Sequence, residues 1–227
     1  GYDISFTNSS LAMLSTTIVI SLFLILGLSK ISLIPSKRQS LVEISYEFIA
    51  NMIKDNVGKD GMKYLSFVFT LFLFILLGNL LGMLPYSFTW TSHIIVTFTI
   101  SFFIFIGVTI IAIYKHGILK FLSFFAPSGV PKPMLILLVP IEVISYLSRP
   151  ISLSVRLFAN MMAGHTLLKV IGGFVFVLAS NSYIVGGILP LSFLVALTGL
   201  EIVIAFLQAY VFAILTCLYI NDAIHLH

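Results

Sequence analysis

The chain alternates long apolar runs with short polar segments. Residues 11–29 form the first run, 19 positions without a charge, close to the roughly 20 that cross a bilayer as a helix. What precedes it carries Asp3 and no basic stretch, so a retained transmembrane helix is expected rather than a cleaved signal. Residues 64–84 and 94–114 are two further uncharged runs, the first interrupted by polar Asn79. Two much longer stretches follow, 133–179 and 183–220. No internal repeat or low-complexity linker separates the runs, and a single membrane domain over 1–227 is expected.

Between the first two runs the period changes. Ser40 and Glu43 fit the Ser-x-x-Glu capping box that opens a helix. Leu41, Ile44, Phe48, Ile49, Met52 and Ile53 then recur at helical spacing, opposite Glu47, Asn51 and Asp55. A helix this amphipathic and this charged lies on a membrane surface, here over 40–56. Asn56-Val57-Gly58 ends it. The fold class that emerges is an all-α polytopic membrane protein: an N-terminal transmembrane helix, a surface amphipathic helix, a transmembrane hairpin and a long, strongly tilted helix hairpin.

Composition excludes the soluble alternatives. Of 227 residues 59% are apolar and 9% charged, where soluble domains carry about 25% charged. Neither a soluble enzyme nor a nucleic-acid binder can be built this way. The net charge of +4 reflects membrane orientation. Lys30, Lys37, Arg38, Lys54, Lys59 and Lys63 fall between runs one and two, and Lys115, Lys120 and Lys132 after run three. The 85–93 loop, the Asn181-Ser182 turn and the N-terminus have no basic residue. The basic loops face the cytoplasm or matrix, and five crossings then put the N-terminus outside and the C-terminus inside. A lone Cys217 forms no intramolecular disulfide and reads as a packing residue.

The stretch 133–179 is 47 residues, about 70 Å as a helix, against roughly 30 Å of hydrocarbon. It must either break, with Pro140 and Pro150 as the candidate positions, or lie strongly tilted. It also holds Glu142, Arg149, Arg156, Asn160, His165 and Lys169, and ionisable groups in a bilayer are costly and mark ion or substrate paths. At about 100° per residue, Glu142, Arg149, Arg156 and Asn160 share one stripe, while His165 lies half a turn away from Arg156. Counted from a turn at Ser182, His165 lies 17 residues before and Glu201 19 after, while Arg156 and Gln208 are each 26 away. An antiparallel hairpin thus sets His165 level with Glu201, and Arg156 level with Gln208. A titrating imidazole level with a buried carboxylate suits a proton relay. The plainer readings stand beside this one: Arg156 as a structural ion pair, Arg149 as an interfacial or structural cation, Glu142 as an interfacial charge and Asn79 as interhelical glue. No phosphate loop, metal-ligand set or nucleophile–base pair is present, so neither covalent chemistry nor a cofactor is expected. Two classes remain: a proton-conducting stator working against a partner's carboxylate, or a secondary transporter whose Arg156 clamps an anionic substrate.

The run Ser148-Arg149-Pro150-Ile151-Ser152-Leu153-Ser154-Val155-Arg156-Leu157-Phe158-Ala159-Asn160-Met161-Met162-Ala163-Gly164-His165 resembles the signature of the subunit a family of F-type ATP synthases. Leu200-Glu201 with Gln208-Ala209-Tyr210-Val211-Phe212 resembles that family's last helix. Gly78-Asn79-Leu80-Leu81-Gly82-Met83-Leu84-Pro85, Tyr114-Lys115-His116-Gly117 and Asn221-Asp222-Ala223-Ile224 match it too. The resemblance implies a non-catalytic stator beside a rotating c-ring, with a peripheral stalk and other Fo subunits as further partners, and with ATP chemistry elsewhere in the complex. It implies that Arg156 faces the ring carboxylate with Asn160 and Gln208 as polar neighbours. His165, Glu201 and Asn79 would line the outer half-channel, and Glu142 would mark the inner one. The transported species would be a proton, without a cofactor. The His165/Glu201 arrangement is the one common in mitochondria and their bacterial relatives. With 21 Phe and one Trp, it points first to a mitochondrial inner membrane and, as the alternative, to an alphaproteobacterial inner membrane.

Overall fold

The computed structural model describes residues 7–29, 32–84, 87–118, 120–121, 132–180 and 184–225. The Asn181-Ser182 turn expected between the two long helices lies outside them. The longer elements are α1 (Asn8–Leu28), α2 (Lys37–Asn56), α3 (Leu65–Gly82), α4 (Ile94–His116), α5 (Lys132–Ser180) and α6 (Ile184–Ile224), with no strand among the described residues. A tight 3-10 turn, Lys59–Tyr64, leads into α3, and another, Trp90–Ser92, leads into α4. Five helices, all but α2, are long and apolar enough to cross a membrane.

α2 starts earlier than its periodicity suggests. Ser36, not Ser40, caps it, accepting from the Gln39 amide at 3.4 Å. Gln39 then bridges backward to the Ser32 backbone and forward to Glu43 at 2.7 Å. The expected capping box is therefore displaced by one turn, because Pro35 and Ser36 already supply an extended entry to the helix. Val42, Ile49, Met52 and Ile53 are buried against the bundle, while Leu41 and Ile44 are exposed on the same helix. At Gly58 the backbone takes φ 81° and ψ −161°, a region open essentially to glycine alone, and the chain turns there toward α3.

Neither Pro140 nor Pro150 breaks the long stretch; both sit inside one continuous helix of 49 residues. At 1.5 Å per residue α5 is about 73 Å long, more than twice the hydrocarbon thickness, so it has to slant. Proline is tolerated in such helices because neighbouring groups and small local adjustments satisfy the freed carbonyls. α6, with 41 residues, pairs with α5 more extensively than any other two elements pair.

The core lies where α3 enters the angle of this hairpin. Phe69, Phe72, Leu73 and Ile75 of α3 pack with Leu153, Leu157 and Met161 of α5 and with Phe212, Cys217 and Ile220 of α6. Ala205, Ala209 and Ala213 of α6 are fully buried at four-residue spacing, small residues that let helix backbones approach closely. At one end of the hairpin the Arg149 guanidinium meets Asp222 at 2.9 Å and lies over the rings of Tyr146 and Tyr219, at 5.2 and 5.1 Å. That contact fits the structural reading of Arg149. Toward the other end Trp90 is 1% exposed, packs on Phe74 at 4.8 Å and fills the space left by Gly78, and its Nε1 donates to Thr16 Oγ1 at 3.3 Å. One side chain thereby ties α1, α3 and the loop before α4.

Trp90→Ala is expected to cost about 3–5 kcal/mol through the void left behind, and Trp90→Phe less, since the ring remains and one hydrogen bond of about 1 kcal/mol is lost. Thermal unfolding of the detergent-solubilised protein reads both. Equal losses would show that the Thr16 bond, not the packing, dominates.

Candidate functional site

The hairpin brings together the two residues that the count from Ser182 sets at one level. His165 Nδ1 lies 3.5 Å from Glu201 Oε1, across the α5–α6 contact. That is an ion-pair separation, longer than a good hydrogen bond. Glu201 is 5% exposed, and neither of its carboxylate oxygens has a hydrogen-bond partner among the described residues. Gly164 makes room for it: a Cβ on Gly164 would stand 2.6 Å from Glu201 Oε1. On its other side the His165 ring reaches Thr89, Nε2 to Oγ1 at 2.8 Å, and the same hydroxyl donates to the Gly82 carbonyl at 2.8 Å.

Asn79 sits beside this group. It is fully buried on α3 and donates through Nδ2 to the Ala205 carbonyl at a long 3.4 Å, while its Oδ1 has no partner among the described residues. Ala205 is one turn of α6 past Glu201, so Asn79 meets α6 one turn beyond the carboxylate. The contact is also interhelical, as the plainer reading of Asn79 expects.

Arg156 faces the other way. Helical phase separates it from His165 by half a turn, and Arg156 is exposed and makes no ion pair or hydrogen bond among the described residues, while the His165 ring is turned inward. Ser152, Ala159, Ala163 and Thr166 share its face, with Ser152, Ala159, Ala163 and Thr166 all exposed. Ala159, Met162 and Thr166 help line a shallow apolar concavity of about 500 Å³. Small side chains of this kind are what lets another helix approach closely. Asn160 is half-buried at its edge. Gln208 and Glu142 are half-buried, and among the described residues neither forms a hydrogen bond or ion pair with Arg156.

Thr89 and Gly164 belong to the site and escaped the reading of the sequence. Thr89 stands in the 85–93 loop, notable there only for lacking basic residues. Gly164 is noticeable only as the small neighbour of His165. Both are uncharged, and their part comes from tertiary approach.

The sequence is similar throughout its length to one family of proteins. The sequence model of the family described as "ATP synthase A chain" matches residues 10–221. ATP synthase subunit a of Pelagibacter ubique is 62% identical over 225 residues, covering 99% of this chain and 90% of that protein. Those of Mesorhizobium japonicum and Rhodospirillum rubrum are each 56% identical over 227 residues, covering 99% and 100% of this chain and 90% and 92% of theirs. A chain matched almost from end to end at this identity belongs to the subunit a family of the F-type ATP synthases.

Proposed function

We propose that the two faces of α5 serve two offset proton paths, one at His165 and Glu201 and the other at Arg156. Membership of the family makes the chain the proton-translocating stator subunit of the Fo sector, a multi-pass membrane protein associated with other Fo subunits. Nothing in the comparisons favours the anion-transporter alternative. The observation that carries the two-path reading is the contact of His165 with a buried Glu201 that has no hydrogen-bond partner among the described residues, on the face opposite an exposed Arg156.

In this reading a proton from outside reaches His165 and Glu201, with Asn79 beside them, and passes to a carboxylate on the c-ring. Neutralised, that carboxylate faces lipid at far lower cost. After most of a revolution it meets Arg156, which favours the ionised form, and the proton leaves past Glu142. Asn160 and Gln208 supply polar neighbours at the ring surface. The exposed stripe of Ser152, Ala159, Ala163 and Thr166 suits close approach of ring helices. Because the paths lie on opposite faces, protons cross only with rotation, and Arg156 blocks a direct leak. A peripheral stalk holds the subunit still, and ATP chemistry belongs to other subunits. The alphaproteobacterial relatives favour the bacterial inner membrane over the mitochondrial one, with the N-terminus outside and the C-terminus in the cytoplasm.

Arg156→Ala is expected to lower ATP-driven acidification of vesicles by on the order of 100-fold or more, the scale of a lost preorganised charge, with the subunit still in the complex. Arg156→Lys should fail substantially too, since an ammonium does not reproduce the planar fork. Normal acidification in either variant overturns the role. His165→Ala and Glu201→Gln should each slow proton uptake from the outer side by roughly 100-fold. Their combination should cost little more than either alone, because one interrupted path is not interrupted twice; strictly additive losses would separate them into independent sites. Gly164→Ala should push the Glu201 carboxylate aside and slow uptake roughly tenfold or more. Glu201→Asp, one methylene shorter, should recover part of that loss in the Gly164→Ala background, and no recovery would point to a different lesion.

A further inference from the structure

Thr89 Oγ1 lies 2.8 Å from the Gly82 carbonyl oxygen and 2.8 Å from His165 Nε2. A hydroxyl has one hydrogen to donate, and a carbonyl oxygen can only accept. Gly82 is in the last turn of α3, where carbonyls lack intrahelical partners, and the Thr89 hydrogen goes to it. Toward His165 the hydroxyl then has only a lone pair, so the hydrogen in that contact sits on Nε2. A neutral imidazole protonated at Nε2 carries a bare Nδ1, and Nδ1 is the atom that faces Glu201 Oε1 at 3.5 Å. Two bare acceptors set against each other in a buried place call for a proton between them.

The position of the hydroxyl is fixed by packing. Thr89 is 8% exposed, its side chain presses on the Cα side of Gly82, and the next residue, Trp90, presses on Gly78 one turn earlier and bonds to Thr16. Two glycines one turn apart on α3 thus seat the Thr89-Trp90 step. Among the described residues the charges acting on the ring are Glu201 from α6 and Lys169, one turn along α5, and the loop offers it the neutral hydroxyl. Left to Glu201 alone, an ionised carboxylate would draw the ring proton to Nδ1 and keep it there.

We propose that Thr89 is a positioning residue of the outer path: wedged against α3, its hydroxyl holds His165 with the ring proton on Nε2, so that Nδ1 and Glu201 are left to pass the mobile proton. This rests on the reading of His165 and Glu201 as the outer loading pair.

The test uses the intact complex in vesicles with three chains: unaltered, Thr89→Val, which keeps the shape and loses the hydroxyl, and Thr89→Ser, which keeps the hydroxyl. Nitrogen-15 spectra of histidine-labelled complex above neutral pH, with His165 identified by its loss in His165→Gln, report which nitrogen carries the proton. Proton uptake from the outer side is measured in the same samples. The unaltered chain should show the Nε2-protonated ring. Thr89→Val should shift His165 toward the Nδ1-protonated form and slow uptake about tenfold, a modest part of what a positioned proton carrier contributes, and Thr89→Ser should restore both. An unaltered ring protonated on Nδ1 alone, an unchanged His165 spectrum or full-rate uptake in Thr89→Val, or a Thr89→Ser variant as impaired as Thr89→Val would overturn the proposal. His165→Ala serves as the control for the underlying reading. If His165→Ala runs at full rate, the loading pair itself is wrong and this proposal goes with it. If His165→Ala is impaired while Thr89→Val is normal in rate and spectrum, only the role of Thr89 is overturned.

Discussion

In hydrocarbon a polar group has no water to turn to, and one left without a partner costs several kcal/mol. Most of the polar side chains in this bundle respect that limit by the shortest route. The hydroxyls of Thr16, Thr17, Ser21, Thr70, Thr99 and Thr109 each bond back to a carbonyl four residues earlier on their own helix. Arg149 satisfies it with Asp222 and two tyrosine rings. Glu201 and Asn79 do not: they are buried with acceptor oxygens that have no hydrogen-bond partner among the described residues, and Asn79 of α3 meets α6 at Ala205, one turn past Glu201. Among the described residues Thr91 and Ser101 are also buried without a hydrogen-bond partner for their hydroxyls. Arg156 stands outside the rule in another way, since it is exposed on a face that only lipid or another protein can cover. Unsatisfied groups of this kind are what a path that exchanges protons requires, because a permanently paired acid neither takes up nor releases one.

In the proposed function the long helix is what turns two polar spots into two paths. Nine residues from Arg156 to His165 amount to half a turn and about 14 Å of rise, so the spots are offset both around and along α5. A break at Pro140 or Pro150 would leave that offset intact, but one at Pro150 would uncouple Glu142 from it. The helix instead runs unbroken from Lys132 to Ser180, and its pairing with α6 and α4 holds it as a slanted bar. The Arg149–Asp222 contact fastens α5 to α6 a little under two turns from Arg156, on the flank away from His165. The offset is therefore set by covalent helical geometry and secured at both ends by packing.

Much of this was legible in the residues. A strict 3.6-residue period places Arg156 and His165 on opposite faces whatever the rest of the chain does, and a count outward from Ser182 sets His165 level with Glu201, which the two long helices bring within 3.5 Å of each other. Proline was less informative, since its cost depends on whether neighbours satisfy the carbonyl it frees, and that is a tertiary matter. The start of α2 was misplaced by a turn because Ser36 and Ser40 both head plausible boxes and only Gln39, folded back on Ser32, decides between them. Thr89 and Gly164 carry no charge and follow no period, so no pattern along the chain points to them. They enter the site because a loop wedges against α3 and because α6 brings a carboxylate against α5.

A neutral partner for His165 also makes physical sense where a charged one would not. A carboxylate bonded to Nε2 would fix the ring as well as a hydroxyl does, as it does for many metal-bound and catalytic histidines. It would also stabilise the imidazolium, and in a low dielectric that attraction is large. The ring would then keep its proton rather than relay it, and Glu201 would compete with a second acid for the same charge. Thr89 gives direction without charge, its own hydrogen being spent on the Gly82 carbonyl. The balance between Nδ1 and Glu201 is thereby left to those two groups, which is the condition for a proton to cross between them in either direction as the ring turns.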